Sequence, residues 1–160
     1  MKYVIRAMNQ ADAPLLEEFL YQAIFVPAGE QPPPRAILDQ PELRVYLDGF
    51  GSRPDDAGLL AAADGKAVGA IWARVMNDYG HVDDQTPSLA FAVDAGYRGL
   101  GIGTALMKRL LALLRARGYA RVSLAVQKAN AAVRVYRRAG FEAVAENEQE
   151  YIMVCRLARP

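Results

Sequence analysis

The chain has 160 residues, of which 52% are hydrophobic and 23% charged, a balance typical of one soluble globular domain. Nineteen Lys and Arg residues and eighteen Asp and Glu residues leave a formal net charge of +1. This balance argues against a nucleic-acid partner, since phosphate binding favours a basic excess. The single Cys155 excludes an internal disulfide and fits a reducing compartment. Without a signal-peptide pattern or a long apolar run, we expect no membrane association and a cytoplasmic location.

The first half of the chain predicts one strand, two helices and a hairpin. Asn9, with Asp12 three residues later, is typical of a helix start, because both side chains can bond free amides there. Asp64-Gly65 between two apolar runs predicts a tight turn between antiparallel strands. In chain order, the expected elements are a strand at 3–7, a helix with an apolar face from Leu15 to Ile24, a short helix from Pro41, and strands at 59–63 and 67–75.

The second half predicts alternating strands and helices after a polar loop at 77–87. Residues 88–93 are apolar on both faces, as expected of a buried central strand. Gly118 and Gly140 fit the C-terminal caps of two helices. In chain order, the expected elements are strand 88–93, helix 102–117, strand 121–126, helix 130–139, and strands 141–145 and 151–157. We therefore predict a single α/β domain over residues 1–160, with a mixed, mostly antiparallel sheet of about seven strands and about four flanking helices.

Three glycines, Gly99, Gly101 and Gly103, open the helix that follows the central strand. They fit a tight strand-to-helix turn. They also fit a phosphate site, because glycines let an anion approach successive backbone amides at the positive end of a helix. The dinucleotide fingerprint requires a glycine or alanine where Thr104 or Leu106 stands, and the triphosphate loop requires a lysine that this stretch lacks. The alternating spacing of the three glycines favours a phosphate-bearing ligand.

The sequence from Arg98 to Gly103, RGLGIG, matches a pattern of Gln or Arg, two residues, Gly, one residue, then Gly or Ala. This pattern is the pyrophosphate loop of the GNAT superfamily of N-acetyltransferases. The stretch SLAFAV before it resembles the family's fourth strand, and LAVQKANAAVRVYRRAGF after it resembles the fifth strand and fourth helix. The resemblance covers most of the chain and is weakest between residues 25 and 55.

This resemblance implies a sheet whose two central parallel strands splay apart, with acetyl-coenzyme A as cosubstrate between them and no metal. The pyrophosphate would lie on the amides of residues 98–103. The pantetheine arm would pair with residues 91–93, whose amides would polarise the thioester carbonyl. The implied cofactor-binding residues are Phe91, Ala92, Val93, Arg98, Gly99, Leu100, Gly101, Ile102, Gly103, Thr104 and Asn130.

The resemblance also implies a role for Tyr136, which would protonate the departing thiolate as the catalytic acid. Its place on an amphipathic helix fits a core residue as well. Arg98 fits either a phosphate contact or a solvated surface position. Asn130 fits either a ligand contact or an ordinary helix cap. Both alternatives remain open for these residues on the sequence alone.

The general base is not assigned by the sequence. The resemblance implies a carboxylate on the fourth or fifth strand, but Ser88 and Ala125 stand at those positions, and neither can take a proton. A water relay is one substitute. Other substitutes lie in the loop before the fourth strand: His81, Asp83 and Asp84, with Tyr79 nearby.

Three more residues are candidates for the acceptor side of the site. Trp72 and Arg74, on the second strand of the hairpin, fit an acceptor pocket, and core packing explains Trp72 equally well. Asp78, with the other acidic residues of its loop, fits either attraction of a cationic amine or simple solvation. The sequence does not decide between these alternatives.

The function predicted from these observations is transfer of an acetyl group from acetyl-coenzyme A to a primary amine of a small molecule or peptide, by direct attack on the thioester. The alternative is a non-catalytic acyl-coenzyme A sensor of the same fold, which the absent strand carboxylate favours and Tyr136 disfavours. A nucleotide-binding regulatory domain is a third interpretation. The expected partners are the cosubstrate and an amine acceptor. The identity of the acceptor and the formation of a homodimer remain open.

Overall fold

The computed structural model describes residues 2–157. Seven strands form one sheet: β1 Val4–Ala7, β2 Ala57–Ala63, β3 Lys66–Arg74, β4 Ser88–Val93, β5 Arg121–Gln127, β6 Phe141–Glu146 and β7 Glu150–Arg156. Their order across the sheet is β1-β2-β3-β4-β5-β7-β6. β4 and β5 run parallel, and the other neighbouring pairs are antiparallel. The predicted mixed sheet is confirmed.

Four α-helices accompany the sheet: α1 Leu15–Ala23, α2 Pro41–Arg44, α3 Ile102–Ala116 and α4 Ala132–Ala139. The capping pair of Asn9 and Asp12 caps the start of a short 3-10 helix at Gln10–Asp12, and not the start of α1. α1 begins directly after Pro14, because proline fits the start of a helix and lacks the amide that a helix interior requires. None of the helices within residues 2–157 has the length and apolar character needed to span a membrane.

The tight turn between β2 and β3 is confirmed in detail. Asp64 and Gly65 both have positive φ angles, 53° and 76°. Two residues with positive φ are the geometry of a turn whose twist matches that of the flanking strands. The turn therefore sets the first two pairs, Ala63 with Lys66 and Ala62 with Ala67, and a β-bulge then shifts the register from Ala61 and Gly69 onward.

The sheet buries apolar side chains on both faces, because successive residues of a strand point to opposite sides. On one face, Leu59 and Ile71 pack with α3 and α4. On the other face, Leu60 and Trp72 pack with α1 and with the segment from Leu38 to Phe50. Two separate cores therefore hold β2, β3 and β4 between layers.

Trp72 and Arg74 lie in the core and not in a pocket, since both side chains are fully buried. The Arg74 guanidinium donates to the two carboxylate oxygens of Asp56 at 2.8 and 3.1 Å and to the carbonyl of Asp48 at 2.7 Å. Trp72 Nε1 donates to the carbonyl of Tyr46 at 3.0 Å. These contacts fasten the segment 45–56 to β3.

The first prediction concerns this buried ion pair. Asp56→Ala leaves the Arg74 charge buried without its partner, which we expect to lower the free energy of unfolding by about 3–5 kcal/mol. Urea denaturation measures the change. Asp83→Ala is the matched control, because it breaks the partly exposed pair with Arg121, for which we expect a much smaller loss, since solvent screens exposed charges. Equal small losses in both variants would contradict an anchoring role for Arg74 and Asp56.

Candidate active site

The gap between β4 and β5 is the feature around which the site is built. The two strands pair at a single position, Ser88 with Ser123. Along its other edge, β4 pairs with β3 from Ser88 to Val93 without a register shift. The sheet therefore opens beyond Ser88, and the predicted splayed pair of parallel strands is confirmed.

The backbone of Phe91 and Val93 faces this gap. Asp94 N donates to Val68 O at 2.8 Å, and backbone groups along an antiparallel strand alternate between its two edges. Ala92 therefore bonds towards β3, while the amides and carbonyls of Phe91 and Val93 point into the gap. An extended ligand lying in the gap would meet these groups as it would meet a neighbouring strand.

A cavity of about 1020 Å³, here called the large cavity, runs from the open edge of β4 to the N-terminus of α3. It brings together all but two of the predicted site residues: Phe91, Ala92, Val93, Arg98, Gly99, Gly101, Gly103, Thr104, Asn130 and Tyr136. The exceptions are Leu100, whose side chain is exposed, and Ile102, which is buried in the core. Their side chains cannot contribute to the lining, so only their backbone amides remain candidates.

The glycine-rich loop is open on the side of the large cavity. Gly99 and Gly101 have φ angles of 76° and 85°, which glycine adopts without strain. A β-carbon built on either would meet no atom within 4 Å. Gly103 has a different role, because a β-carbon there would lie 2.9 Å from the Phe91 ring. Since α3 starts at Ile102, the first two glycines leave space for an anion at a helix N-terminus.

Arg98 and Asn130 both make structural contacts at the edge of the large cavity. Arg98 Nε donates to the Val93 carbonyl at 3.0 Å, which ties the loop to the end of β4. Asn130 lies one residue before Ala131, the N-cap of α4, and its Oδ1 accepts from Ala132 N, the first amide of the helix, at 2.9 Å. Contacts of either side chain with a ligand stay predictions.

A second cavity of about 420 Å³, here called the small cavity, lies between α1, α2 and the gap-facing parts of β4 and β5. Phe91, Asn130 and Tyr136 line both cavities, so the two meet there. Most of the small cavity's wall is apolar. Its remaining polar side chains are Gln40, Tyr46, Tyr79, Gln127 and Glu150. Glu150 is the one charged residue among the described residues that line it.

Tyr136 is both a core residue and a cavity residue. Its ring packs edge-on against Phe91 and Phe141, with ring centroids 6.4 and 5.9 Å away. Burial raises the pKa of Tyr136 to about 12, because the charged phenolate is poorly solvated there. The hydroxyl of this residue, which lines both cavities, therefore keeps its proton throughout the physiological pH range.

The loop between β3 and β4 is more ordered than its polar sequence indicates. Tyr46 Oη donates to Asp78 Oδ2 at 2.7 Å, and Ser88 Oγ donates to Asp78 Oδ1 at 2.7 Å. Burial and the nearby Asp78 carboxylate raise the pKa of Tyr46 above its ordinary range. The Asp78 carboxylate is thus held by two hydroxyls, one of which belongs to a residue that lines the small cavity.

Gly80 fixes the position of this loop. A β-carbon at Gly80 would lie 3.0 Å from backbone atoms of Leu124 and Ala125, and Ser123 Oγ donates to the Gly80 carbonyl at 2.7 Å. A side chain at this position would require the loop or β5 to move by a few tenths of an ångström. The loop therefore lies directly against the strand that forms one side of the gap.

Three other residues considered for the base, His81, Asp83 and Asp84, lie outside both cavities. His81 Nδ1 is 2.9 Å from the Met76 carbonyl, Asp83 pairs with Arg121, and the Asp84 side chain is 97% exposed. None of the three lines the large or the small cavity. Ala125 and Tyr79 do line the small cavity.

Two site residues, Tyr46 and Glu150, were not predicted from the sequence. Tyr46 follows a short amphipathic helix and fits an ordinary core position. Glu150 ends the polar run ENEQE, which is typical of a solvated turn. The register that places Glu150 opposite Gln127 brings it to the gap, and no local pattern in the sequence indicates that register.

Comparison with known proteins agrees with this geometry. The model of the Acetyltransferase (GNAT) family matches residues 20–141. The chain belongs to the GNAT acetyltransferase family. The mycothiol acetyltransferase of Beutenbergia cavernae is 39% identical over an alignment of 139 positions that covers 83% of this chain and 44% of that protein. The mycothiol acetyltransferase of Thermobifida fusca is 34% identical over an alignment of 121 positions that covers 68% of this chain and 38% of that protein. The chain thus spans less than half the length of these relatives.

Solved GNAT structures share the fold over nearly the whole chain. An N-acetyltransferase from Staphylococcus aureus superposes with a TM-score of 0.71 at 17% identity, covering 99% of this chain and 100% of that one. The PaiA N-acetyltransferase of Thermoplasma acidophilum, solved in complex with coenzyme A, has a TM-score of 0.70 at 18% identity, covering 98% and 99%. The predicted fold and the predicted membership of an acyltransferase family are confirmed.

The second prediction tests the glycine-rich loop. We expect acetyl-coenzyme A to raise the melting temperature, since a ligand at about 100 times its Kd adds about 2.7 kcal/mol of stability. Gly101→Val should remove this shift, because the side chain occupies the space before the amides. Gly118→Val is the matched control at the other end of α3, with a φ of 88° and equally open surroundings. It carries the same backbone strain and should keep the shift; its loss in both variants would contradict a local phosphate site.

The third prediction concerns pH. A tyrosine whose pKa is about 12 when folded and about 10 when unfolded holds its proton more tightly in the folded state. Its contribution to stability is complete below about pH 10 and is lost as the pH rises towards about 12. A phenylalanine at this position cannot ionise. In Tyr136→Phe the free energy of unfolding should therefore fall less steeply in this window, by up to about 1.4 kcal/mol per pH unit. Urea denaturation at several pH values measures this, and an unchanged slope would contradict burial of the hydroxyl.

Proposed function

We propose that this GNAT domain transfers an acetyl group from acetyl-coenzyme A to a primary amine of a small molecule or peptide, by direct attack on the thioester. The observation that carries this proposal is the meeting of the two cavities at Tyr136. One cavity leads to a glycine-rich helix N-terminus and the other contains a carboxylate. A donor and an acceptor can therefore reach the same hydroxyl from opposite sides.

The large cavity supports acetyl-coenzyme A as the donor. The open space before Gly99 and Gly101 suits the pyrophosphate, and Arg98 adds positive charge beside it. The gap-facing amides of Phe91 and Val93 suit the pantetheine arm and the thioester carbonyl. Hydrogen bonds to that carbonyl oxygen would stabilise the negative charge that develops during attack.

The small cavity supports an amine as the acceptor. Glu150 is the single charged residue among the described residues of its wall, so the cavity attracts a cation and disfavours an anion. The neighbouring hydroxyls of Tyr46 and Tyr79 add hydrogen-bonding groups. The apolar remainder of the wall suits a hydrocarbon or aromatic body attached to the amine.

The reaction then proceeds without a covalent enzyme intermediate. The amine nitrogen forms a C–N bond with the thioester carbonyl carbon, and the carbonyl electrons move to oxygen. The C–S bond then breaks as the carbonyl re-forms, and the electron pair of that bond leaves on sulfur. The Tyr136 hydroxyl donates a proton to that thiolate, as a general acid. The tyrosinate regains a proton through solvent, which takes up the proton that the nitrogen loses as the amide forms. Burial ensures that Tyr136 is protonated when it is needed.

A sensor without turnover is the alternative, and the small cavity disfavours it. A sensor needs only the large cavity, whereas this fold adds a second cavity that contains a carboxylate and opens at Tyr136. Thiol release with an acceptor distinguishes the two functions. The relatives named mycothiol acetyltransferase match over less than half of their own length, so we propose the acceptor class from the cavity and not from their name.

The fourth prediction tests the catalytic role of Tyr136. Tyr136→Phe keeps the ring contacts with Phe91 and Phe141 and removes the proton donor. We expect thiol release in a panel of primary amines to fall by about 100- to 10,000-fold, with the affinity for coenzyme A unchanged. Tyr119→Phe, a substitution outside both cavities, should leave turnover close to that of the wild type. Unchanged turnover in Tyr136→Phe would limit this residue to packing.

A further inference from the structure

The carboxylate of Asp78 is held by hydrogen bonds from two side chains, although it lies in a polar loop. It accepts from Tyr46 Oη and Ser88 Oγ, both at 2.7 Å, and its loop is fixed against β5 by Gly80. Tyr46 is only 7% exposed, yet it lines the small cavity. A half-buried carboxylate is thus bonded to a residue that lines the small cavity.

The proposed reaction needs a proton acceptor at that place. An alkylamine near pKa 10 is an ammonium ion at neutral pH, and an ammonium nitrogen has no lone pair with which to attack. Ser88 and Ala125, on the two central strands, cannot take the proton. The wall of the small cavity must supply the acceptor or water must do so.

We propose that Tyr46 and Asp78 form the route by which the acceptor ammonium loses its proton. This inference rests on the proposed function. The Tyr46 oxygen accepts a proton from the ammonium nitrogen while the Tyr46 hydroxyl proton passes to Asp78 Oδ2. The N–H electron pair stays on nitrogen and becomes the nucleophile, Tyr46 ends neutral as it began, and Asp78 becomes a carboxylic acid that later returns its proton to solvent. Tyr46 is the catalytic residue of this step, and Asp78 acts through it.

The geometry supports this route over one that ends directly on Glu150. Asp78 is held by two hydroxyl donors from different elements, so its distance to Tyr46 is fixed. The raised pKa of Tyr46 keeps the phenol neutral, which suits a residue that passes a proton on without losing its own. The titratable groups that face Tyr46 are Asp78, Tyr79 and Glu150. Glu150 lies on β7, beyond β5, where its charge attracts the ammonium into the small cavity.

The test measures the pH dependence of kcat/KM in the wild type and in variants of Tyr46 and Asp78. The acceptor is 2-phenylethylamine, an amine with an apolar body and no carboxylate. If the enzyme removes the proton, wild-type kcat/KM is level well below the amine's own pKa of about 10. Asp78→Asn and Tyr46→Phe should each lower kcat/KM near neutral pH by about 100-fold or more. In both variants kcat/KM should keep rising up to the amine pKa, because only amine already neutral in solution reacts. The double variant should lose little more than either single one, because the two residues act together.

Two controls share the loop. Asp84→Asn makes the same change of charge at an exposed position and should keep the wild-type profile. His81→Ala should keep more than about a tenth of the wild-type rate. This loss is smaller than the one expected when a general base is removed. The melting shift with coenzyme A shows that each variant is folded and binds the donor.

Three outcomes would overturn the proposal. One is a level profile in Asp78→Asn with kcat/KM close to that of the wild type. Another is a pH profile of kcat/KM that loses its level region in Glu150→Gln but not in Asp78→Asn. That result would identify Glu150 as the group that takes the proton. The third is a wild-type protein that binds coenzyme A but releases no thiol with any amine. That last result contradicts the proposed function itself, whereas the first two leave acetyl transfer in place and reject only the route.

Discussion

The single pairing of β4 with β5, at Ser88 and Ser123, is the constraint on which the rest of the site depends. A fully paired sheet would satisfy the backbone groups of Phe91 and Val93 and leave no space between the strands. Because the strands separate, the gap connects a glycine-rich helix N-terminus on one side with a cavity containing Glu150 on the other. Tyr136 lies where these two sides meet, fixed by aromatic contacts with Phe91 and Phe141.

The groups proposed to carry protons in the site come from outside the two strands that form the gap. Small residues occupy the strand positions themselves, at Ser88 and Ala125. The loop before β4 brings Asp78 to Ser88, and the segment after α2 brings Tyr46 to Asp78. Each is held by the core on its own side of the sheet: Trp72 bonds the backbone of Tyr46, and the loop lies against β5 at Gly80. The same packing that stabilises the fold therefore sets the distances between the site's polar groups.

Much of this architecture could be predicted from local sequence patterns. The positive φ angles at Asp64 and Gly65, the glycine-rich loop and the alternation of strands and helices all follow from short-range chemistry that the sequence displays. Most residues expected around the large cavity do line it, because they come from contiguous motifs. Tyr46, Glu150 and the partners of Asp78 could not be predicted in this way. Their proximity depends on strand register and on how the segment 24–56 crosses the sheet, which are properties of the tertiary structure.

The buried pair of Arg74 and Asp56 gives the segment that covers the small cavity one fixed end. Residues 45–56 are anchored to β3, whereas residues 24–40, with three consecutive prolines, carry Ile24, Ile37 and Gln40 into the cavity wall. Ile37 and Gln40 line the small cavity and not the large one, so substitutions at these two positions change the shape of the small cavity without altering the large cavity or the anchor. In evolutionary terms, the fold separates an anchored frame around the gap from a part of the small cavity's wall that is available to diversify.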